Sequence, residues 1–130
     1  MAGNKVLLDT NIISALLKGE VSVANHIDNA AEVYLSSIVI GELFYGAAYS
    51  VKVEQNMANI KQLLTAYKVL NIDHETSLVY GKIKAELRKK GAPIPENDIW
   101  IASSAIQHKL KLSTLDKHFL QISDLKILGW

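Results

Sequence analysis

The chain has 130 residues, 49% of them hydrophobic, and a formal net charge of only +1, from 14 Lys and Arg against 13 Asp and Glu. That length fits one domain spanning 1–130 with a sizeable core, and the sparse Gly and Pro, without repeats or low-complexity runs, exclude a disordered chain. The near-neutral charge excludes a broad basic surface, so any nucleic-acid ligand would need a local basic patch, a partner or a second copy of the chain.

Lys5-Val6-Leu7-Leu8 is an aliphatic run suited to a buried strand. It ends at Asp9-Thr10-Asn11, where Thr10 or Asn11 is placed to cap a helix over Ile12 to Lys18 that Gly19 ends. A second helix is expected from about Ser22 to Asn29, and a second strand over Val33 to Ser37. Ile38 to Ser50 reads as a helix despite its β-branched start. From Lys52 to Tyr67, the residues Val53, Met57, Ile60, Leu63, Leu64 and Tyr67 recur at three- and four-residue steps, which is one helical face.

Lys68 to Ile72 is a third strand. Ser77 to Lys90 is helical, with Val79, Ile83 and Leu87 on one face, and is stopped by Gly91 and Pro93-Ile94-Pro95. Glu96-Asn97-Asp98 opens a helix running from Ile99 to Lys109. Leu110 to Ser113 is a fourth strand, a short helix lies around Lys117 to Gln121, and Leu125 to Leu128 is a fifth strand. Short aliphatic strands alternating with helices imply an α/β domain with a parallel sheet. Ligands of such sheets bind at the carboxyl ends of strands, and Asp9 and Asp116 both fall just past strand ends.

Four of the thirteen acids stand out by context: Asp9 after Leu8, Glu42 between Gly41 and Leu43, Asp98 before Ile99-Trp100, and Asp116 after Thr114-Leu115. Singly, each has an ordinary explanation. Asp98 suits the first turn of a helix, Asp9 and Asp116 suit caps or turns, and Glu42 suits a helix surface. Jointly they point elsewhere. Glu42 sits in a strongly apolar segment, Asp9 and Asp116 share the binding edge of the sheet, and Asp98 leads a helix that faces it.

Two carboxylates ~5 Å apart at an effective dielectric of ~20 repel by roughly 3 kcal/mol. Several such pairs rival a total stability of about 5–15 kcal/mol, so a cluster implies a bound cation or a raised pKa. All-oxygen ligation selects Mg²⁺, Mn²⁺ or Ca²⁺ over zinc. Asp9 and Asp98 are the first candidates for direct ligation, with Asp116 joining them and Glu42 holding a water of the metal or a second metal. Such a site permits phosphodiester hydrolysis with water activated by the ion.

Other features carry less. His26, His74, His108 and His118 show no metal-ligand spacing and read as surface or packing residues. Trp100 and Trp130 read as packing residues too. Neither a G-x-x-x-x-G-K-[ST] nor a G-x-G-x-x-G is present. Lys82, Lys84, Arg88, Lys89 and Lys90 form the main basic stretch, whose plain reading is a solvated helix face. The Val53–Tyr67 face, with Phe44, Tyr45 and Tyr49 before it, either covers the sheet or stays exposed for a second copy or a partner segment. The chain lacks cysteine, which excludes disulfides and thiolate metal sites and fits a reducing cytoplasm. No apolar stretch approaches the ~18 residues of a membrane span, and Met1-Ala2-Gly3-Asn4-Lys5 is too short and polar for a signal peptide.

Four segments in order carry a family resemblance: Leu7-Leu8-Asp9-Thr10-Asn11-Ile12-Ile13, Ser37 to Ala47 around Gly41-Glu42-Leu43-Phe44, Ile94-Pro95-Glu96-Asn97-Asp98-Ile99-Trp100-Ile101-Ala102, and Leu112-Ser113-Thr114-Leu115-Asp116-Lys117-His118-Phe119. They span nearly the whole chain. The sequence resembles the PIN-domain ribonucleases of the VapC type, toxins of type II toxin–antitoxin pairs. The resemblance implies a three-layer α/β/α fold around a five-stranded parallel sheet, and an Mg²⁺-dependent endoribonuclease in which Mn²⁺ is able to substitute. It implies that Asp9, Glu42, Asp98 and Asp116 form the catalytic site, with Asp9, Asp98 and Asp116 on the metal and Thr10, Asn11 and Thr114 orienting the carboxylates. It also implies an RNA substrate, a homodimer and a small protein antitoxin that blocks the site.

Three rival readings remain to be separated. A phosphotransfer domain would need a further acid beside Asp9 or two residues on, and position 11 is Asn11. A non-catalytic PIN-like interaction module is separated by RNA cleavage with and without Mg²⁺. A PIN nuclease of RNA processing, without an antitoxin, is separated by the presence of a short neighbouring reading frame.

Overall fold

In the computed structural model, which describes residues 3–130, the chain alternates strands and helices. The order is β1 (Lys5–Leu8), α1 (Thr10–Leu17), α2 (Val21–Asp28), β2 (Glu32–Ser36), α3 (Ser37–Ala48), α4 (Val53–Ala66), β3 (Lys68–Leu70), α5 (His74–Lys90), α6 (Glu96–Gln107), β4 (Lys111–Ser113), a 3₁₀ helix (Lys117–Gln121) and β5 (Ile127–Leu128). Met1 and Ala2, part of the polar start read above, lie outside the described residues.

The five strands form one parallel sheet in the order β3-β2-β1-β4-β5. Successive strand side chains point to opposite faces. Val6, Leu7 and Leu8 are nevertheless all fully buried, so β1 is covered on both faces, as a parallel sheet between helices requires. Val39, Ile101, Ala102 and Ala105 join β1 in the core from the helices. The chain winds one way from β1 through β2 to β3, and the other way through β4 to β5. The strand order therefore reverses between β1 and β4, and in parallel sheets the crevice at such a reversal is where ligands bind. Asp9 follows β1, and Thr114-Leu115-Asp116 follows β4, so both segments open onto that crevice.

Local boundaries differ from the sequence reading in ways that have physical causes. The cap of α1 is Asp9, not Thr10 or Asn11: its carboxylate accepts the Thr10 N–H while both following residues are already helical. Helix α5 begins at His74, ahead of the expected Ser77, because Asp73 and Thr76 form a reciprocal capping box. The first turn, His74-Glu75-Thr76, holds no apolar residue, so hydrophobic periodicity starts only after it. The helix ends where expected, at Gly91 with φ 67° in the left-handed region that glycine adopts freely.

The two surface features read from the sequence are also resolved. Lys82, Lys84, Arg88, Lys89 and Lys90 are all exposed on α5, which is the solvated-face reading. Lys84 is nevertheless tied to Glu96, at 3.0 Å, so the stretch runs beside the start of α6. On the periodic face of α4 only Ile60 is fully buried among the described residues. Val53, Tyr45 and Tyr49 stand exposed, with the two tyrosines stacked at 6.1 Å.

Candidate metal centre

Asp9 is 5% exposed at the carboxyl end of β1. Its Oδ1 accepts the Thr10 N–H at 2.8 Å, and its Oδ2 accepts the Thr114 hydroxyl at 2.7 Å and the Asn11 amide at 3.3 Å. Asn11 also accepts the Leu115 N–H at 3.3 Å, and Thr114 accepts the Asp116 N–H at 3.0 Å. The ends of β1 and β4 are thus laced together by Asn11 and Thr114, and Asp9 is held in one rotamer by three donors.

Glu42 reaches the same edge from the second turn of α3. Its Oε1 accepts the Thr10 hydroxyl at 2.6 Å, and its Oε2 lies 3.4 Å from the Asn97 amide nitrogen. Thr10 thereby links Asp9 to Glu42: the backbone N–H serves one carboxylate and the hydroxyl the other.

Asp98 sits in the first turn of α6 with 14% of its side chain exposed. Asp116 caps the 3₁₀ helix, and its Oδ1 accepts the His118 N–H at 2.9 Å. The His118 ring lies between the two, with Nδ1 3.1 Å from Asp116 Oδ1 and 3.4 Å from Asp98 Oδ2. Among the described residues, Asp98, Asp116 and His118 bring one donor atom each within 4.8 Å of one another. Asp9 and Glu42 adjoin that set from the β1 side.

Burial and the neighbouring acids both act on the carboxyls. Burial, reinforced by the Asp9 and Asp116 charges and opposed by His118, pushes the Asp98 carboxyl up to about 6. Burial also holds Asp9 above the usual carboxylate range, with Glu42 and Asp116 adding to the effect and bonds from Thr114 and Thr10 pulling against it. Each of the four acids is therefore a like-charge neighbour of another.

The chain that carries this arrangement matches a known family. The model of the PIN domain matches residues 6–125, nearly the whole chain. The chain belongs to the PIN-domain family. Its relatives include VapC proteins. It is 35% identical to Ribonuclease VapC2 of Rickettsia felis, over 95% of this chain and 96% of that one. It is 32% identical to the tRNA(fMet)-specific endonuclease VapC of Salmonella typhimurium, over 97% of this chain and 98% of that one. The solved complex VapBC2 of Rickettsia felis, bound to a DNA fragment from its promoter, contains a chain that superposes with a TM-score of 0.89 at 34% identity, over 96% of this chain and 98% of that one.

The donor set of this PIN chain fits a hard divalent cation. Four carboxylates supply oxygen, and such ligation suits magnesium- or manganese-like ions. The raised Asp98 and Asp9 are the response expected where carboxylates are crowded together and partly buried. Thr10, Asn11 and Thr114 are each bonded to one of the acids or to its backbone.

Two residues at the centre are not among the expected ones. Asn97 donates to Glu42, and a side-chain contact between α3 and α6 leaves no mark in sequence. His118, read as a surface or packing residue, does lie at the surface, 53% exposed, and its ring also meets two carboxylates. The available signal is its position two residues after Asp116, since a 3₁₀ turn folds such a residue back over its cap. Of the other histidines, His26 packs as read, stacked on Trp130 at 5.0 Å. Trp100 likewise packs, stacked on Tyr80 at 3.9 Å.

Proposed function

We propose that this chain is a single-domain, Mg²⁺-dependent endoribonuclease that acts as the toxin of a toxin–antitoxin pair. The observation that carries the reading is the convergence of Asp9, Glu42, Asp98 and Asp116 at the β1–β4 crevice of a PIN fold whose relatives are named ribonucleases. Asp9, Asp98 and Asp116 would hold the ion. When bound, it supplies the positive charge that activates water and neutralises the phosphate and the leaving oxygen.

The chain's own residues do the rest. Thr114, Asn11 and the Thr10 N–H keep Asp9 aimed into the crevice. Glu42, held by Thr10 and Asn97, stands beside it with a lone pair to accept a proton from the attacking water. The exposed Arg88 and Lys89 on α5, which packs along α6, offer charge to the RNA backbone.

A protein antitoxin and a homodimer complete the proposal. A groove of about 520 Å³, lined by Thr10, Leu17, Glu42, Gly46, Asn59 and Ile60, runs from the acids between α1, α3 and α4. An apolar peptide segment laid there would cover Glu42 and close the site, as helices and strands dock in such grooves elsewhere. Among the described residues no helix is long and apolar enough to cross a membrane, and we place the activity in the cytoplasm, where RNA is.

The test is cleavage of RNA by the purified chain in Mg²⁺, followed by analysis of the fragment ends. Attack by water leaves no 2′,3′-cyclic phosphate and does not need the 2′-hydroxyl at the cut. A cyclic phosphate end, or cleavage that persists in EDTA, would overturn the metal-dependent reading.

A further inference from the structure

His118 occupies a position that no packing role explains. Its ring is half-exposed, stacks on no aromatic group and, among the described residues, bonds only to the carboxylates of Asp98 and Asp116. The backbone holds it there. Asp116 caps the 3₁₀ helix and accepts the His118 N–H at 2.9 Å, which brings the ring back over the same carboxylate. Phe119, the next residue, is fully buried and anchors that turn. Asp98, on α6, meets the ring from the other side.

The spacing is that of ligands sharing one ion. Donors at adjacent corners of an octahedron with bonds of about 2.1 Å stand ~3.0 Å apart. Nδ1 lies 3.1 Å from Asp116 Oδ1 and 3.4 Å from Asp98 Oδ2. A neutral imidazole carrying its proton on Nε2 presents the Nδ1 lone pair towards those two oxygens. Resting on the proposed metal centre, we infer that His118 ligates the divalent ion held by Asp98 and Asp116 through Nδ1, making the donor set mixed oxygen and nitrogen and favouring Mn²⁺ over Mg²⁺. Imidazole nitrogen binds first-row transition ions well and adds little for Mg²⁺, which prefers oxygen and keeps its water. Asp9 then completes the set from the β1 side, where Oδ1 accepts only the Thr10 N–H.

The experiment is a titration of the intact chain and of His118→Gln with Mn²⁺ and with Mg²⁺, together with pulsed EPR of the Mn²⁺ complexes. Gln keeps a polar side chain of similar reach but no imidazole nitrogen. Melting curves without metal establish that the variant is folded, and His118→Ala serves in its place if it is not. The wild type should show histidine nitrogen modulation on Mn²⁺, and the variant should lose it. The variant should also lose roughly tenfold or more of its Mn²⁺ affinity, with a smaller loss for Mg²⁺, so that the ratio of the two falls. Wild-type Mn²⁺ binding without nitrogen modulation, or an unchanged ratio in the variant, would overturn the role of His118 while leaving the metal centre standing. Failure of the wild type to bind Mn²⁺ at all would remove the centre and this inference together.

Discussion

The Thr114 hydroxyl donates to Asp9 Oδ2 at 2.7 Å, joining two residues 105 positions apart in the chain. The Thr114 hydroxyl oxygen in turn accepts the Asp116 N–H at 3.0 Å, so one buried hydroxyl fixes the acid that follows β1 and the backbone of the acid that follows β4. Thr114→Val removes both hydrogen bonds at nearly constant shape. It should cost about 1–3 kcal/mol of stability, because it takes the acceptor from the Asp116 N–H and leaves the buried Asp9 Oδ2 with the Asn11 amide alone, and Thr114→Ser should restore most of that stability. Thermal or urea unfolding of the three proteins checks this, and equal midpoints would show that the hydroxyl does not organise the site.

The metal-free site should be destabilised by its own charge. Neutralising one member, as in Asp98→Asn, should raise the melting temperature measured at pH 7 in EDTA. Mg²⁺ should raise that of the wild type by ~1.4 kcal/mol of stability at ten times its dissociation constant. If calorimetry detects neither shift, the four acids do not act as one charged cluster.

Asp98 gives this strain a pH signature. Its folded pKa, about 6, lies above its ordinary value of 3.8, so in the intervening window the folded state binds more protons than the unfolded state. By linkage the metal-free chain then loses stability as pH rises from about 4 to about 6 and levels off above. Metal binding runs the opposite way, since the ion requires the ionised carboxylate. Mg²⁺ affinity should climb as pH rises through about 6, and Asp98→Asn should flatten both profiles. Calorimetric titrations across that range measure the effect.

The basic stretch on α5 divides into engaged and free members. Lys84 is paired with Glu96 at 3.0 Å, so reversing it would disturb the start of α6 as well as any RNA binding. Arg88 and Lys89 are the cleaner probes. Reversing both to Glu should weaken RNA binding and reduce the slope of log affinity against log salt by about 0.7 for each phosphate that is no longer neutralised. An unchanged slope would place the RNA on another face.

The sheet and most of the site are legible in the sequence because their signals are local. Aliphatic runs ending in Asp9 and in Thr114-Leu115-Asp116 mark strands with acids at their carboxyl ends, and a parallel sheet puts those ends on one edge. Glu42 is conspicuous because an ionised group is costly in so apolar a segment. Asp9, which suits a cap as well as a ligand, serves both purposes, closing a helix with one oxygen and facing the crevice with the rest of the carboxylate, while Thr10 and Asn11, the other capping candidates, are already helical. The capping box of α5 escapes hydrophobic periodicity because its turn is wholly polar. Asn97 and His118 are invisible as site residues for a different reason: each acquires its role through a carboxylate supplied by another helix, and that depends on packing rather than on any pattern along the chain.

The exposed tyrosines of α3 should mark an association surface. Tyr45 and Tyr49 stack in the open beside the exposed Val51 and Val53, and aromatic side chains of this kind are enriched at interfaces. Light scattering should find the purified chain dimeric at tens of micromolar concentration, or a co-expressed antitoxin should protect these residues from labelling. A strict monomer whose tyrosines label equally with and without antitoxin would leave the patch without a role.

The central claim is that the carboxylates at the β1–β4 crevice act through a divalent ion to cleave RNA. RNA cleavage by the wild type, Asp9→Asn and Asp98→Asn, each with Mg²⁺ and with EDTA, tests it most directly when paired with melting curves of the same samples. The account predicts cleavage by the wild type in Mg²⁺ alone, none by either variant, both variants folded, and Asp98→Asn at least as stable as the wild type without metal. Cleavage that survives EDTA and both substitutions would contradict it.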